Sequence, residues 1–211
     1  MYQKMIRSKA NSSLFFLFKI LIIYLIFFLK FFAIEAKTED NFIVLGNASA
    51  PVKIKIFSSL TCPHCASFHI EVVPEIVKNY VSSGSVQLIF IDFPLDQAAF
   101  NASKLLNCVD QKKQIEFLDI IYEDQAKWTG GANLNEINNN LKKIVKNLGV
   151  DSDQFNTCLN NEVISDKILN GRIEAQKKYS INSTPTIVIN EEKFNKNGNF
   201  KNIKKKIDKL I

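Results

Sequence analysis

The chain has 211 residues, 46% of them apolar, with four cysteines and a formal net charge of +6 from 27 basic and 21 acidic residues. The charge is concentrated at the start: residues 1–36 hold five basic residues and one acid, leaving 22 against 20 in the remainder. That near-neutral body, with no reading motif, excludes nucleic-acid binding through a broad basic surface, and its roughly 175 residues suit one domain or a core with a sizeable insertion.

Lys4, Arg7 and Lys9 form a basic lead into Leu14 to Ile34, which is apolar except for Lys19 and Lys30 and has an unbroken core from Ile20 to Leu29. A core of that length fits a signal peptide better than an ordinary membrane span, and Ile34-Glu35-Ala36 offers a small residue at a cleavage point. Residues 1–36 therefore read as a signal peptide, with an uncleaved anchor as the alternative. Either way the body is exported, where disulfides persist. Residues 37–50 read as a short lead-in.

The alternating run Val52-Lys53-Ile54-Lys55-Ile56-Phe57 predicts a strand, and Cys62-Pro63-His64-Cys65 follows it directly. Pro63 suits the first position of a helix, where the N–H it lacks would be unpaired anyway. Cys62 is then the N-cap, its sulfur facing the free amides of His64 and Cys65 and the positive end of the helix dipole, which favours thiolate over thiol. A protonated His64 adds positive charge. Cys65 falls on the helix side carrying Phe68, Val72, Ile76 and Tyr80, so it is the more buried thiol. Cys62 is assigned as the attacking nucleophile and Cys65 as the resolving thiol, with Pro63 and His64 tuning the exchange. A static disulfide is the bland alternative. A zinc site lacks ligands, since neither Cys108 nor Cys158 belongs to a second Cys-x-x-Cys, and no metal or cofactor is expected.

Pro74 should kink the redox helix. Val86-Gln87-Leu88-Ile89-Phe90-Ile91 then reads as a second buried strand, completing a βαβ unit with a parallel pair. Residues 96–179 turn almost wholly helical: Ala98 to Val109, Gln114 to Tyr122, Leu134 to Leu148 and Val163 to Tyr179 carry apolar residues three and four apart, with Gly130-Gly131 and Gly149 as breaks. Trp128 reads as an anchor for this block. Strand character returns at Thr186-Ile187-Val188-Ile189, the turn Asn190-Glu191-Glu192 suggests a hairpin, and a closing helix follows. Its lysines, Lys201, Lys204, Lys205, Lys206 and Lys209, read as a solvated face around Ile203, Ile207 and Leu210.

From Ala50-Pro51-Val52 through Cys62-Pro63-His64-Cys65, Ile91-Asp92-Phe93-Pro94-Leu95 and Ser183-Thr184-Pro185-Thr186, the chain resembles the DsbA-like branch of the thioredoxin superfamily. The resemblance implies an α/β, thioredoxin-like fold with an inserted helical domain: a core of residues 51–95 and 180–211, and an insertion of residues 96–179. It implies thiol–disulfide exchange in the periplasm, in a branch known for a depressed cysteine pKa and a strongly oxidising couple. It also implies a cis Pro185 facing the dithiol, with the backbone beside Thr184 pairing with substrate.

Two departures bear on direction. The best-known members carry an acid where this chain has His69, so another carboxylate or His69 itself moves protons, unless His69 is a partly exposed bystander. Thr184 replaces the valine frequent in strong oxidases and is shared with isomerases, yet residues 37–50 are too short for the dimerisation domain of periplasmic isomerases. With Cys62 and Cys65 paired locally, Cys108 and Cys158 are left to form a structural disulfide worth about 4 kcal/mol on a chain-entropy account. Two buried free thiols, or a relay pair, are the alternatives.

The function expected is a monomeric periplasmic oxidase that introduces disulfides into exported proteins with reduced cysteines and is reoxidised by a DsbB-like membrane partner. A reductase or isomerase of the same fold, or a thiol-holding chaperone or binding module with a static disulfide, are the competing readings.

Overall fold

Alternation along the first long strand sorts its side chains into two sets, and the rest of the fold is built on that division. The computed structural model describes residues 42–211, so the expected signal peptide and residues 37–41 of the lead-in lie outside the described residues. Five strands form one mixed sheet in the order β1-β3-β2-β4-β5: β1 Ile43–Leu45, β2 Val52–Ser58, β3 Val86–Asp92, β4 Thr186–Ile189 and β5 Glu192–Lys193. The β2–β3 pair is parallel, with Val52 opposite Val86 and Ser58 opposite Asp92, while β1, β4 and β5 pair antiparallel.

Val52, Ile54 and Ile56 of β2 and Val86, Leu88 and Phe90 of β3 face the larger core, where they meet Cys65, Phe68, Val72, Ile76 and Tyr80 of the redox helix. Phe57, Ile89 and Ile91 face the other way, onto Phe93, Ala175 and Ile181. Because β3 lies between β1 and β2 and is covered on both faces, its first six residues are all buried, which is why all but Gln87 are apolar.

The redox helix, α1, occupies residues 63–81 without interruption, but it is not a regular α-helix throughout. Pro74 brings no amide hydrogen, and the backbone widens into π-helical turns at Phe68–Val72 and Val77–Val81, where Val73 N–H reaches back to Phe68 O. Widened turns thus flank the proline where a kink was expected.

Seven further helices follow: α2 Gln97–Cys108, α3 Gln114–Glu123, α4 Gln125–Thr129, α5 Leu134–Asn147, α6 Ser152–Leu159, α7 Glu162–Tyr179 and, after the last strand, α8 Phe200–Ile207. The six from α2 to α7 form the helical insertion between β3 and β4. Periodicity predicts neither α4, a helix of only five residues, nor α6. Trp128 of α4 is 1% exposed and donates its Nε1–H to Ile121 O at 2.8 Å, satisfying the one polar atom it buries. Cys108 at the end of α2 is bridged to Cys158 of α6, fifty positions later. Beside the bridge, the buried Lys104 donates from Nζ to Leu159 O at 2.8 Å.

Strand β1 falls in the stretch expected to be only a lead-in; three residues are too few for an alternation to be read. It ends at Gly46, whose φ of +98° and whose approach to Val86 O, 2.6 Å from where a Cβ would stand, both require glycine. The β4–β5 hairpin turns on Asn190 and Glu191, both at positive φ, the conformation that matches strand twist in a two-residue turn. Glu191 is held there by Lys55, Lys178 and Tyr179, and the bonds to the two lysines bring its carboxyl down to about 2.

Replacing Trp128 with alanine removes the largest fully buried side chain of the insertion and strands Ile121 O. Urea unfolding should show a loss of about 3–5 kcal/mol.

Candidate active site

The strand-to-helix junction places Cys62 at the N-cap of α1, with extended backbone (φ −78°, ψ 119°) and Pro63 as the first helical residue. Its carbonyl accepts the first helical hydrogen bonds, from Cys65 N at 3.0 Å and Ala66 N at 3.2 Å. Its sulfur makes no standard cap bond and instead donates to Thr184 O at 3.4 Å. Both thiols are free, Cys62 half-buried and Cys65 only 1% exposed. Thr184–Pro185 is a cis peptide, and the bond from Cys62 to Thr184 O sets the loop entering β4 against the helix start. Pro63 and His64 stand exposed beside the sulfur.

The two thiols titrate apart. Partial burial alone would raise Cys62, but hydrogen bonds involving Thr184, Cys65 and His64 outweigh it, and Cys62 lies below the ordinary thiol value. Cys65 is pushed up to about 12, first by burial and then by the negative charge of Cys62 beside it. The Thr184 hydroxyl is buried with no standard hydrogen-bond partner among the described residues, yet it stands close enough to both sulfurs to favour their thiolates.

The loop before Cys62 is fixed from several directions. Thr61 donates to Asp96 Oδ2 at 2.6 Å, Leu95 N–H donates to Ser59 Oγ at 3.3 Å, and Phe93 N–H to Ser58 O at 2.7 Å. Asp96 also caps α2 through Ala99 N, joining loop and helix through one carboxylate. From α4, the buried Gln125 donates to Leu60 O at 2.8 Å and Cys62 O at 3.2 Å. Asp96 and Gln125 were not singled out from sequence, because both act on backbone across the fold.

His69 is not the partly exposed histidine considered above. It is 7% exposed, its Nε2 lies 2.7 Å from Asp119 Oδ1 on α3, and its ring centroid is 4.8 Å from that of Tyr122. Neither sulfur is among its hydrogen-bond partners. On the same sheet face as Cys65 lie Ser58, Asp92 and Tyr122. Burial raises the Asp92 carboxyl to about 6 against a hydrogen bond from Ser103 and the pull of Lys167, and burial with the neighbouring Cys65 keeps Tyr122 neutral. Cys108 and Cys158 lie in the helical insertion as a bridged pair, joining α2 to α6.

The family model described as Thioredoxin matches residues 38–209. A Bacillus anthracis protein named "Probable disulfide bond formation protein D" is 31% identical over 171 residues, covering 79% of this chain and 77% of its own length. A Rickettsia prowazekii protein named as a protein-disulfide oxidoreductase is 29% identical over 176 residues, which is 83% of this chain but 63% of the relative. The chain therefore spans less than two thirds of that relative's length. Among solved structures, the crystal structure of alpha-DsbA1 from Wolbachia pipientis is similar at a TM-score of 0.73 and 31% identity, covering 81% of this chain and 91% of that one.

Asp92 makes stability depend on pH. Its carboxyl titrates at about 6 when folded and at the ordinary 3.8 when unfolded, so the native state holds the extra proton between those values. Stability from this group is complete below pH 3.8 and is lost as pH rises through 6. Asp92→Asn should therefore unfold like the wild type near the lower limit and be more stable by about 3 kcal/mol above the upper one, as read by thermal melts across pH.

Proposed function

We propose, for a chain that belongs to the DsbA-like branch of the thioredoxin superfamily, that Cys62 and Cys65 form a redox pair which introduces disulfide bonds into exported proteins. The observation that carries this reading is the division of the two thiols: one half-buried at a helix N-terminus with a depressed pKa, the other buried with a pKa near 12.

In the oxidised pair, a substrate thiolate attacks Cys62 Sγ. A substrate–Cys62 bond forms as the Cys62–Cys65 bond breaks, and Cys65 leaves with the electron pair and takes a proton. A second substrate thiolate then attacks the substrate sulfur of the mixed disulfide, and Cys62 departs as a thiolate. The substrate loses two electrons and the enzyme pair gains them. A low thiolate pKa makes Cys62 a good leaving group and stabilises the reduced enzyme, so the electrons run toward the protein. Thr184 and Pro185 present the backbone that receives an extended substrate segment across from Cys62. A DsbB-like membrane partner removes the electrons and restores the disulfide.

The location proposed is the periplasm, with the protein acting as a monomer. The leader read in residues 1–36 supports export, and the Cys108–Cys158 bridge supports an oxidising compartment, where such bonds persist.

Two measurements test the reading. Thiolate absorbance of the reduced protein should titrate Cys62 below the 9.0 of an ordinary thiol, and Cys62→Ser should abolish oxidation of a reduced two-cysteine peptide. Equilibration with glutathione should leave the pair more oxidising than glutathione itself; a more reducing couple would assign the protein to reduction or isomerisation instead.

A further inference from the structure

Gln125 stands on α4, in the helical insertion, 63 positions along the chain from Cys62. Its side chain is 9% exposed, and its carboxamide nitrogen reaches two backbone carbonyls of the junction, Leu60 O at 2.8 Å and Cys62 O at 3.2 Å. Both targets are acceptors only, so the NH2 end must face them and the side chain has one usable orientation. Leu60 and Cys62 flank Thr61, so a single amide staples both ends of the peptide stretch that delivers the sulfur to the helix. The Cys62 carbonyl already accepts from Cys65 N and Ala66 N, and Gln125 adds a third donor at that oxygen.

The anchor itself is rigid. Thr129 Oγ1 donates to Gln125 O at 2.7 Å, Trp128 Nε1 donates to Ile121 O at 2.8 Å, and Trp128 N–H caps onto Asp124 O. Gln125 is thus carried by a helix locked into the insertion, while its amide ends at the N-cap of α1.

We propose that Gln125 is a positioning residue for the redox pair, holding the backbone of Leu60 and Cys62 so that the Cys62 sulfur stays set against the amides of His64 and Cys65 and against Thr184. The insertion, on this account, sets the redox poise of the thiol through the backbone that carries it. The inference rests on the proposed oxidase reading, since it assigns the control of that site. The depressed pKa of Cys62 follows from several weak bonds acting against burial, so a small displacement of the N-cap is enough to shift the balance.

Gln125→Met keeps the length and removes the donor; Gln125→Glu keeps the shape and turns an ionised acceptor toward two carbonyls. The Met variant should raise the Cys62 titration midpoint by about one unit and move the glutathione equilibrium about tenfold toward the oxidised protein. The Glu variant should shift both further at neutral pH, and less at acid pH where its carboxyl regains a donor. Were both variants folded and less stable, yet unchanged in Cys62 midpoint and glutathione equilibrium, Gln125 would be a structural contact only and the proposal would fail. Should one variant not fold, the other decides alone. A wild-type Cys62 that titrates as an ordinary thiol would overturn the oxidase reading first, a result separable from either variant's behaviour.

Discussion

The start of α1 is the constraint on which the redox end of this protein depends. A helix has four amides at its beginning that no carbonyl of its own can reach, and here Pro63 removes one while the Cys62 sulfur lies by those of His64 and Cys65. The side chain at the cap looks outward, and the one three residues later looks into the core. Burial distinguishes them as strongly as any neighbour does: Cys65 shares its environment with Phe68 and Val72, and water does not reach it. One backbone event therefore yields a sulfur that ionises easily and another that resists ionisation.

That junction is stabilised from three parts of the chain. The cis Thr184–Pro185 loop supplies the carbonyl facing Cys62, Asp96 at the cap of α2 holds Thr61, and Gln125 of α4 holds the flanking carbonyls. The sheet brings these together because β2, β3 and β4 are adjacent and the loop ends concerned lie at one edge of them. The helical insertion is therefore more than an appendage to a sheet: two of its helices end their polar side chains on the loop before the redox helix.

Legibility in the sequence followed the range of the interactions. The long strands, the redox helix and the strongly periodic helices α2, α3, α5 and α7 were readable because alternation and three-to-four spacing are local. The helix start at Cys62 was readable for the same reason, as proline and the preceding strand lie within a few residues. Strand β1 was missed because three residues carry no period, and α4 because it is a five-residue helix. The start of α6 did have a signal: Asp151 and Gln154 form a capping box, three residues apart, which could have located it. The burial of His69 was not readable because it depends on Asp119 and Tyr122 of a helix fifty residues away. Asp92, Tyr122 and Gln125 were illegible for a deeper reason: nothing in a strand-end aspartate or a helical glutamine indicates which backbone or sulfur will meet it after folding.

The brevity of the outer strands has a consequence for a protein proposed to handle unfolded clients. Among the described residues β1 contributes three residues and β5 two, so each side of the sheet carries a strand shorter than an ordinary one. An incoming extended chain finds little unpaired backbone there on which to register, and the tight Asn190-Glu191 turn closes off β5 at once. An extended chain is thereby denied a template for adding itself to the sheet and nucleating aggregation, and under the proposed function strand-like pairing falls to the short loop beside the sulfur.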